Sequence, residues 1–334
     1  MSVATTPQFT IPDAVQFARD VFGLTATAAV LPSERDQNFF LATAAGKKYV
    51  LKIAKSDEDR AVLEFQNAVL AHVAGRAPAL VLPRVQPTPS GEELAQVRDG
   101  RGEPYFIRLI GWLEGQVLAA AAPHADSLLA SLGTMMGELD CALHGFSHPA
   151  MSRELRWDLK CAALALEHLP LLSPAQQQLV RQFMAQWHRI DWRGLRHSVI
   201  HGDANDYNVL VRDGLVVGVI DFGDIVHSAV VCDLAIATAY AMLDKTRPLD
   251  AAAAIMRAYH LRFPLTSAEI GAVYPLLTAR LCMSLCYAAY NACAKSGDAY
   301  QQVTAAPAWS LLQQLAAVPP EMALTILRDA CAAS

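Results

Sequence analysis

The sequence predicts an α+β fold in two lobes, a strand-rich N-terminal lobe over residues 1–112 and a mostly helical C-terminal lobe over residues 113–334. Three observations predict it. Short runs rich in β-branched and aromatic residues, broken by turn residues, fill the first third of the chain. From Ala125 onward, apolar residues recur at helical spacing. Inside that helical part lies one hairpin pattern, residues 199–211 followed by 216–224, in which each apolar run leads into a polar cluster.

The composition narrows the function classes. The chain has 334 residues and 53% hydrophobic content, enough for a substantial core. Its net charge is −5 with no Lys/Arg cluster, so a nucleic-acid partner has no electrostatic support. Residues 1–8 are polar and lack an apolar signal core. The Ala-rich run 251–254 is too short to span a membrane, and charges interrupt the longer apolar segments, so no membrane partner is expected. The cysteines are Cys141, Cys161, Cys232, Cys282, Cys286, Cys293 and Cys331. An odd number without a Cys-x-x-Cys pair reads as reduced thiols of a cytoplasmic protein.

In chain order, Thr10-Ile-Pro-Asp13 is a capping box opening a helix that runs to Phe22 and stops at Gly23. Residues 26–31, 39–42 and 48–53 read as three strands. Lys52 closes the third, with Leu51 and Ile53 pointing to the other face if the strand alternates. Residues 56–59 cap a helix to about Val73 that carries Glu64. Further strands are expected over 81–85, 93–97 and 105–110, with Trp112 beyond them as a packing residue. Helices are expected over 127–143, 155–169, 174–190, 232–243, 249–263 and 267–294, then two short ones separated by Pro319-Pro320. Ser173-Pro174 is an N-cap with a first-turn proline.

The hairpin carries the chemistry. Arg212-Asp213-Gly214 is a turn signal, so residues 215–220 should return against 209–211. That fold-back brings Asp203, Asn208 and Asp221 to one end. Carboxylate and amide oxygens suit a hard cation such as Mg²⁺, which leaves coordination positions for substrate phosphates. Phosphoryl transfer further needs a carboxylate to orient an attacking hydroxyl. The order His201-x-Asp203-x-x-x-x-Asn208, then a strand, then Asp221-Phe-Gly223, matches the catalytic and metal loops of protein kinases.

His201-Gly-Asp-Ala-Asn-Asp-Tyr-Asn208, with Gly202 where protein kinases usually have Arg, resembles the aminoglycoside phosphotransferase and choline kinase superfamily. Leu31-Pro-Ser-Glu-Arg-Asp-Gln-Asn-Phe39, Trp157-Asp-Leu-Lys160, Ile220-Asp-Phe-Gly-Asp224 and Pro264-Leu-Thr266 resemble its hydroxylysine kinase branch. The resemblance spans roughly residues 15–315. It implies a bilobal protein-kinase-like fold, with a nucleotide, ATP or GTP, as phosphoryl donor and Mg²⁺ as cofactor. It also implies a small-molecule acceptor bearing a hydroxyl, an amino alcohol or hydroxy amino acid. A monomer or homodimer fits this pattern.

The resemblance assigns Asp203 as catalytic base and Asn208 and Asp221 as metal ligands. Asn208 bonding its own loop backbone is the plainer alternative. Lys52, ion-paired with Glu64, would grip the nucleotide phosphates, with Glu58 as a competing partner for the lysine. Ser33, Gln37 and Asn38 stand in a glycine-free loop where kinases place a phosphate loop, and would add donors. Backbone groups from Leu109 to Leu113 would bind the base. Asp206, Tyr207, Asp224, Trp157 and Arg280 are acceptor-site candidates. Asp224 could equally cap the next helix. Arg280 is a lone charge in the apolar stretch 273–289, either paired internally or facing a cleft toward a substrate carboxylate. His201 reads as support for the loop. Homoserine, choline, ethanolamine, sugar or aminoglycoside acceptors fit the wider superfamily as alternatives. A nucleotide-binding pseudokinase and a metal-dependent hydrolase are the competing readings from other classes.

Overall fold

The computed structural model describes residues 7–33, 35–294 and 299–332, so residues 1–6 and Glu34 of the phosphate-side loop lie outside the described residues. The chain divides into two compact units: residues up to Gly75 with Val81–Glu114 and His148–Ala150, and Arg76–Leu80 with Gly115–Ser147 and Met151 onward.

The first unit opens with α1 (Ile11–Phe22). The Thr10 and Asp13 side chains cap each other's backbone at its start, and Gly23 ends it in the left-handed conformation at φ 67. Then come β1 (Ala26–Leu31), β2 (Gln37–Thr43), β3 (Lys48–Ile53), α2 (Arg60–Arg76), β4 (Val85–Gln86), β5 (Ala95–Arg98) and β6 (Pro104–Gly111). They form one antiparallel sheet in the order β1-β2-β3-β6-β4, with β5 also on β6. The strand expected over 81–85 is displaced to the two residues of β4, which pair with Ile110 and Leu109 of β6, while the preceding Arg84 carbonyl accepts the Gly111 N–H. Leu51, Ile53, Phe39, Ile107 and Leu109 are buried against Phe9, Ala14, Ala18 and Phe22. Strand alternation therefore turns Asn38, Lys52 and Arg108, which pair across β2, β3 and β6, to the opposite face. Trp112 packs edge-on against Phe40 at 4.9 Å.

The second unit contains β7 (Gln116–Val117), α3 (Asp126–Leu143), α4 (Pro174–Trp187), β8 (His197–Ile200), β9 (Val209–Arg212), β10 (Leu215–Val219) and β11 (Val226–Ala229). It ends with α5 (Val231–Ala241), α6 (Pro248–Arg262), α7 (Ser267–Ala294), α8 (Ala299–Ala316) and α9 (Pro320–Ala332). Two small antiparallel sheets, β10-β9-β7 and β11-β8, sit among the helices. Asp213 at φ 54 and Gly214 at φ 74 make the β9–β10 turn, the left-handed pair a two-residue hairpin demands. The helix expected over 155–169 is instead a 3₁₀ segment, Leu159–Leu171, started by the Asp158 side chain accepting from the Lys160 N–H. Among the described helices only α7 is long and apolar enough to cross a membrane, and 83% of its apolar window is buried inside the protein.

Helices α3 and α6 meet through glycines. A Cβ on Gly133 would collide with the Ile255 carbonyl, and one on Gly137 would sit 2.9 Å from the Tyr259 carbonyl. Overpacking of this kind costs about 1–3 kcal/mol, more than the roughly 1 kcal/mol that Ala gains over Gly in a helix. Gly133→Ala is therefore expected to lower stability in urea unfolding. Gly271→Ala in α7, where a Cβ meets nothing within 4 Å, should be neutral or stabilising. A Gly133→Ala protein as stable as the parent would contradict the close helix crossing.

Candidate active site

In the second unit, strand β8 delivers His201, Gly202 and Asp203 to the mouth of the β9–β10 hairpin. The Asp233 carboxylate on α5 accepts the His201 N–H at 2.6 Å and the Gly202 N–H at 2.7 Å. Gly202 is left-handed at φ 79, and a Cβ there would collide with the Asp224 carbonyl, which explains glycine at this position. The buried His201 ring accepts the Asp203 N–H at Nδ1, 3.2 Å, so its proton sits on Nε2 and is donated to the Ile220 carbonyl at 3.1 Å. Burial lowers its pKa, keeping it neutral with both nitrogens occupied. His201 therefore supports the loop, as expected from the sequence.

Asp203 is held from two sides. Its Oδ1 accepts from Arg280 Nη2 at 2.5 Å. Its Oδ2 accepts from Asn205 Nδ2 at 2.9 Å and Asn208 Nδ2 at 3.0 Å. Burial pushes its carboxyl up to about 7, against the opposing pull of Arg280, with Asp224 and Asp221 adding to the rise. Asn208 Nδ2 also donates to the Asp203 carbonyl at 2.9 Å. The amide thus bonds its loop, as the plainer sequence reading had it, while its Oδ1 lies on the opposite edge as an oxygen donor. The Asn208 carbonyl accepts the Ile220 N–H at 2.8 Å, which sets Asn208 beside Asp221. Asp221 is exposed and left-handed at φ 61, an uncommon conformation for a residue other than glycine.

Asn208 and Asp221 form a sparse, all-oxygen donor pair, and among the described residues no cluster of His, Cys, Asp and Glu could hold a metal by itself. Such a set fits Mg²⁺, which takes one or two protein ligands and completes its shell with water and phosphate oxygens.

The acceptor-side candidates separate. Asp206 and Asp224 are buried, Tyr207 is exposed, and Trp157 packs edge-on against Tyr287 at 4.6 Å. Arg280 is paired internally, on Asp203. Asn205, Asp233, Asp140 and Tyr240 also build this site, although sequence reasoning did not single them out for it. Asp233 is a lone acid in an apolar helical run, the same signal that marked Arg280, whereas Asp140 has Glu138 beside it and carries no such signal.

In the first unit, Lys52 is 9% exposed with its Nζ 3.9 Å from Asp36. The expected Lys52–Glu64 pair is not what the structure shows: Glu64 bonds Arg60 at 2.7 Å, one turn earlier on the exposed face of α2. The buried face of α2 carries Gln66 and Asn67 instead, and both accept from Arg108 beside Lys52. Gln37 has a different task from the one expected. Its amide bonds both the N–H and the carbonyl of Phe9, at 2.8 and 2.7 Å, which ties the chain before α1 to β2. Asn38 keeps a buried Oδ1 without a partner, in the Lys52 row. Ser33 is exposed in the loop before β2, Leu109 lies within the β6 ladder, and Leu113 follows its end.

A model of the phosphotransferase enzyme family (APH) matches residues 27–272. Curated relatives include hydroxylysine kinase of Mus musculus, 30% identical over 92% of this chain and 90% of that protein. Homoserine kinase of Methylobacillus flagellatus is 27% identical over 80% and 81%. Among solved structures, an amicoumacin kinase in complex with AMP-PNP and Ca²⁺ superimposes with TM-score 0.70 at 13% identity, covering 92% of this chain and 94% of the other. A microcompartment-associated aminopropanol kinase gives 0.69 at 17%, covering 97% and 96%. The fold is the α+β, protein-kinase-like one of these structures.

Behind the loop, Asp140 Oδ2 accepts from Tyr259 at 2.5 Å, and its buried Oδ1 receives no hydrogen bond. Burial and the neighbouring Asp233 carboxylate push the Asp140 pKa up, which favours its protonated form. A carboxyl whose pKa is raised on folding stabilises the fold below its unfolded value, and that contribution is lost as pH rises through the folded value. Asp140→Asn cannot ionise and still serves Tyr259. Its stability relative to the parent should therefore grow in urea unfolding as pH rises above the ordinary carboxylate range. A difference that is flat with pH would show that Asp140 carries no such proton.

Proposed function

Because the chain belongs to the phosphotransferase enzyme family, we propose that it transfers the γ-phosphoryl group of ATP or GTP to a hydroxyl of an amino alcohol or hydroxy amino acid. The observation that carries this reading is Asp203, fixed through both carboxylate oxygens at the hairpin mouth that also bears Asn208 and Asp221. In the reaction the acceptor oxygen bonds to the γ-phosphorus and the bond to the β-phosphate oxygen breaks. The hydroxyl proton passes to Asp203. Mg²⁺ held by Asn208 Oδ1 and Asp221 would supply neutralisation of phosphate charge. Lys52 and Asn38 contact the phosphates, Ser33 closes the loop side, and backbone groups between Leu109 and Leu113 take the base.

Two features favour a cationic hydroxy acceptor. Asp224, outside the proposed metal pair, adds negative charge near Asp203, which suits an ammonium group. The relatives that span most of the chain are named for hydroxylysine and homoserine, both hydroxy amino acids. Asp206 and Tyr207 in the loop, with Trp157, would line such an acceptor.

The acceptor is tested by phosphate transfer from each nucleotide, with Mg²⁺, to 5-hydroxylysine, homoserine, ethanolamine, choline and an aminoglycoside. Turnover with hydroxylysine or homoserine is expected. Turnover with only an aminoglycoside or choline would replace the acceptor class and leave the chemistry. Asp203→Asn should lower turnover by about 10²–10⁴-fold while thermal stabilisation by Mg²⁺-nucleotide persists, and unchanged turnover would remove it as base. Asp221→Ala should weaken that stabilisation itself, and parent-like binding would move the metal elsewhere.

A further inference from the structure

Arg280 lies on α7, 77 residues from Asp203 in sequence, and its side chain is only 3% exposed. Every part of its guanidinium is engaged. Nη2 bonds Asp203 Oδ1 at 2.5 Å, Nη1 donates to the Trp157 carbonyl at 3.1 Å, and Nε donates to the Tyr240 hydroxyl at 3.1 Å. The Trp157 and Tyr240 rings flank it, with Cζ 4.5 and 5.4 Å from their centroids. Tyr240 is itself fixed by Ser284 at 3.1 Å, one turn beyond Arg280 on the same helix.

We propose that Arg280 is a positioning residue for phosphoryl transfer, which locks the Asp203 carboxylate in the plane that meets the acceptor hydroxyl. This rests on the reading of Asp203 as the base. A carboxylate bonded at one oxygen alone can swing about its Cβ–Cγ bond. Asn205 and Asn208 come from the loop itself and would move with it, so they fix Asp203 only relative to the loop. Arg280 comes from a separate helix and refers the carboxylate to the body of the second unit. The planar fork meets the carboxylate, the carbonyl and the hydroxyl together, and lysine cannot reproduce that geometry. An arginine so enclosed does not contact the acceptor, so its effect falls on turnover, since misplacement by about 1 Å costs around 10²-fold.

The test uses the full chain with the acceptor and nucleotide that give the highest parent turnover in the panel. Arg280→Ala should lower kcat by about 10²-fold or more and leave the nucleotide KM and the Mg²⁺-nucleotide stabilisation near parent values. Arg280→Lys should retain charge yet recover only part of kcat. Millimolar guanidinium should restore part of the kcat of Arg280→Ala and nothing in Asp203→Asn, with sodium chloride at equal concentration as the ionic control. Parent-like kcat in either Arg280 variant overturns the proposal. So does a loss of kcat, with melting and nucleotide binding intact, that guanidinium does not recover, since this assigns Arg280 to packing of α7 alone. Should Arg280→Ala not fold, Arg280→Lys decides: lowered kcat with parent nucleotide KM supports the lock, unchanged kcat overturns it. A parent that transfers phosphate to no acceptor overturns the phosphotransfer reading itself, an outcome seen before any variant is made.

Discussion

Two backbone N–H groups on one buried carboxylate hold the candidate active-site loop in place. Asp233 accepts from His201 and Gly202 in successive positions, so the chain leaving β8 must turn where α5 begins. Gly202 can make that turn because it has no side chain to meet Asp224. The His201 ring then falls under the Ile220 carbonyl, at the end of β10, and its Nδ1 receives the Asp203 N–H. Asp203, Asn208 and Asp221 inherit their places from that one anchor. A carboxylate free of countercharge would be costly there. The two N–H groups offset much of the cost, and the raised pKa of Asp140 beside it disfavours a second negative charge there.

The first unit solves a separate problem. A six-stranded sheet has two faces, and this one devotes a single face to the core under α1. The other face bears Asn38, Lys52 and Arg108 in one row across three strands. Arg108 is satisfied by Gln66 and Asn67, so α2 docks on the sheet through amides and an arginine. Glu64, on the outer face, is left to Arg60.

Much of this was legible in the sequence, because the signals were local. The Thr10 capping box, the Asp213-Gly214 turn and the His201–Asn208 spacing each depend on residues close in the chain, and each appears as read. Lys52–Glu64 failed because which face of α2 turns inward depends on where α2 docks, a contact between distant segments. Gln37 failed for the same reason, since its partner Phe9 is 28 residues away. Arg280 gave half a signal. A lone charge among apolar neighbours announces a buried partner but does not name it. The 3₁₀ winding of Leu159–Leu171 has an apolar pattern that α-helical spacing also fits.

Helix α7 touches the chain on either side of β8 at two separated points. Near its start, the buried Glu269 pairs with Arg196 at 2.6 Å, the residue before β8. Eleven residues on, Arg280 reaches Asp203 beyond the strand's far end. A helix rises about 1.5 Å per residue, so α7 acts as a ruler clamped at both ends of β8. Its own Tyr274 hydroxyl donates to the Leu315 carbonyl of α8 at 3.3 Å. Torque applied to the C-terminal helices would be transmitted along that ruler and delivered, as a small rotation, to the oxygen atoms of a single aspartate.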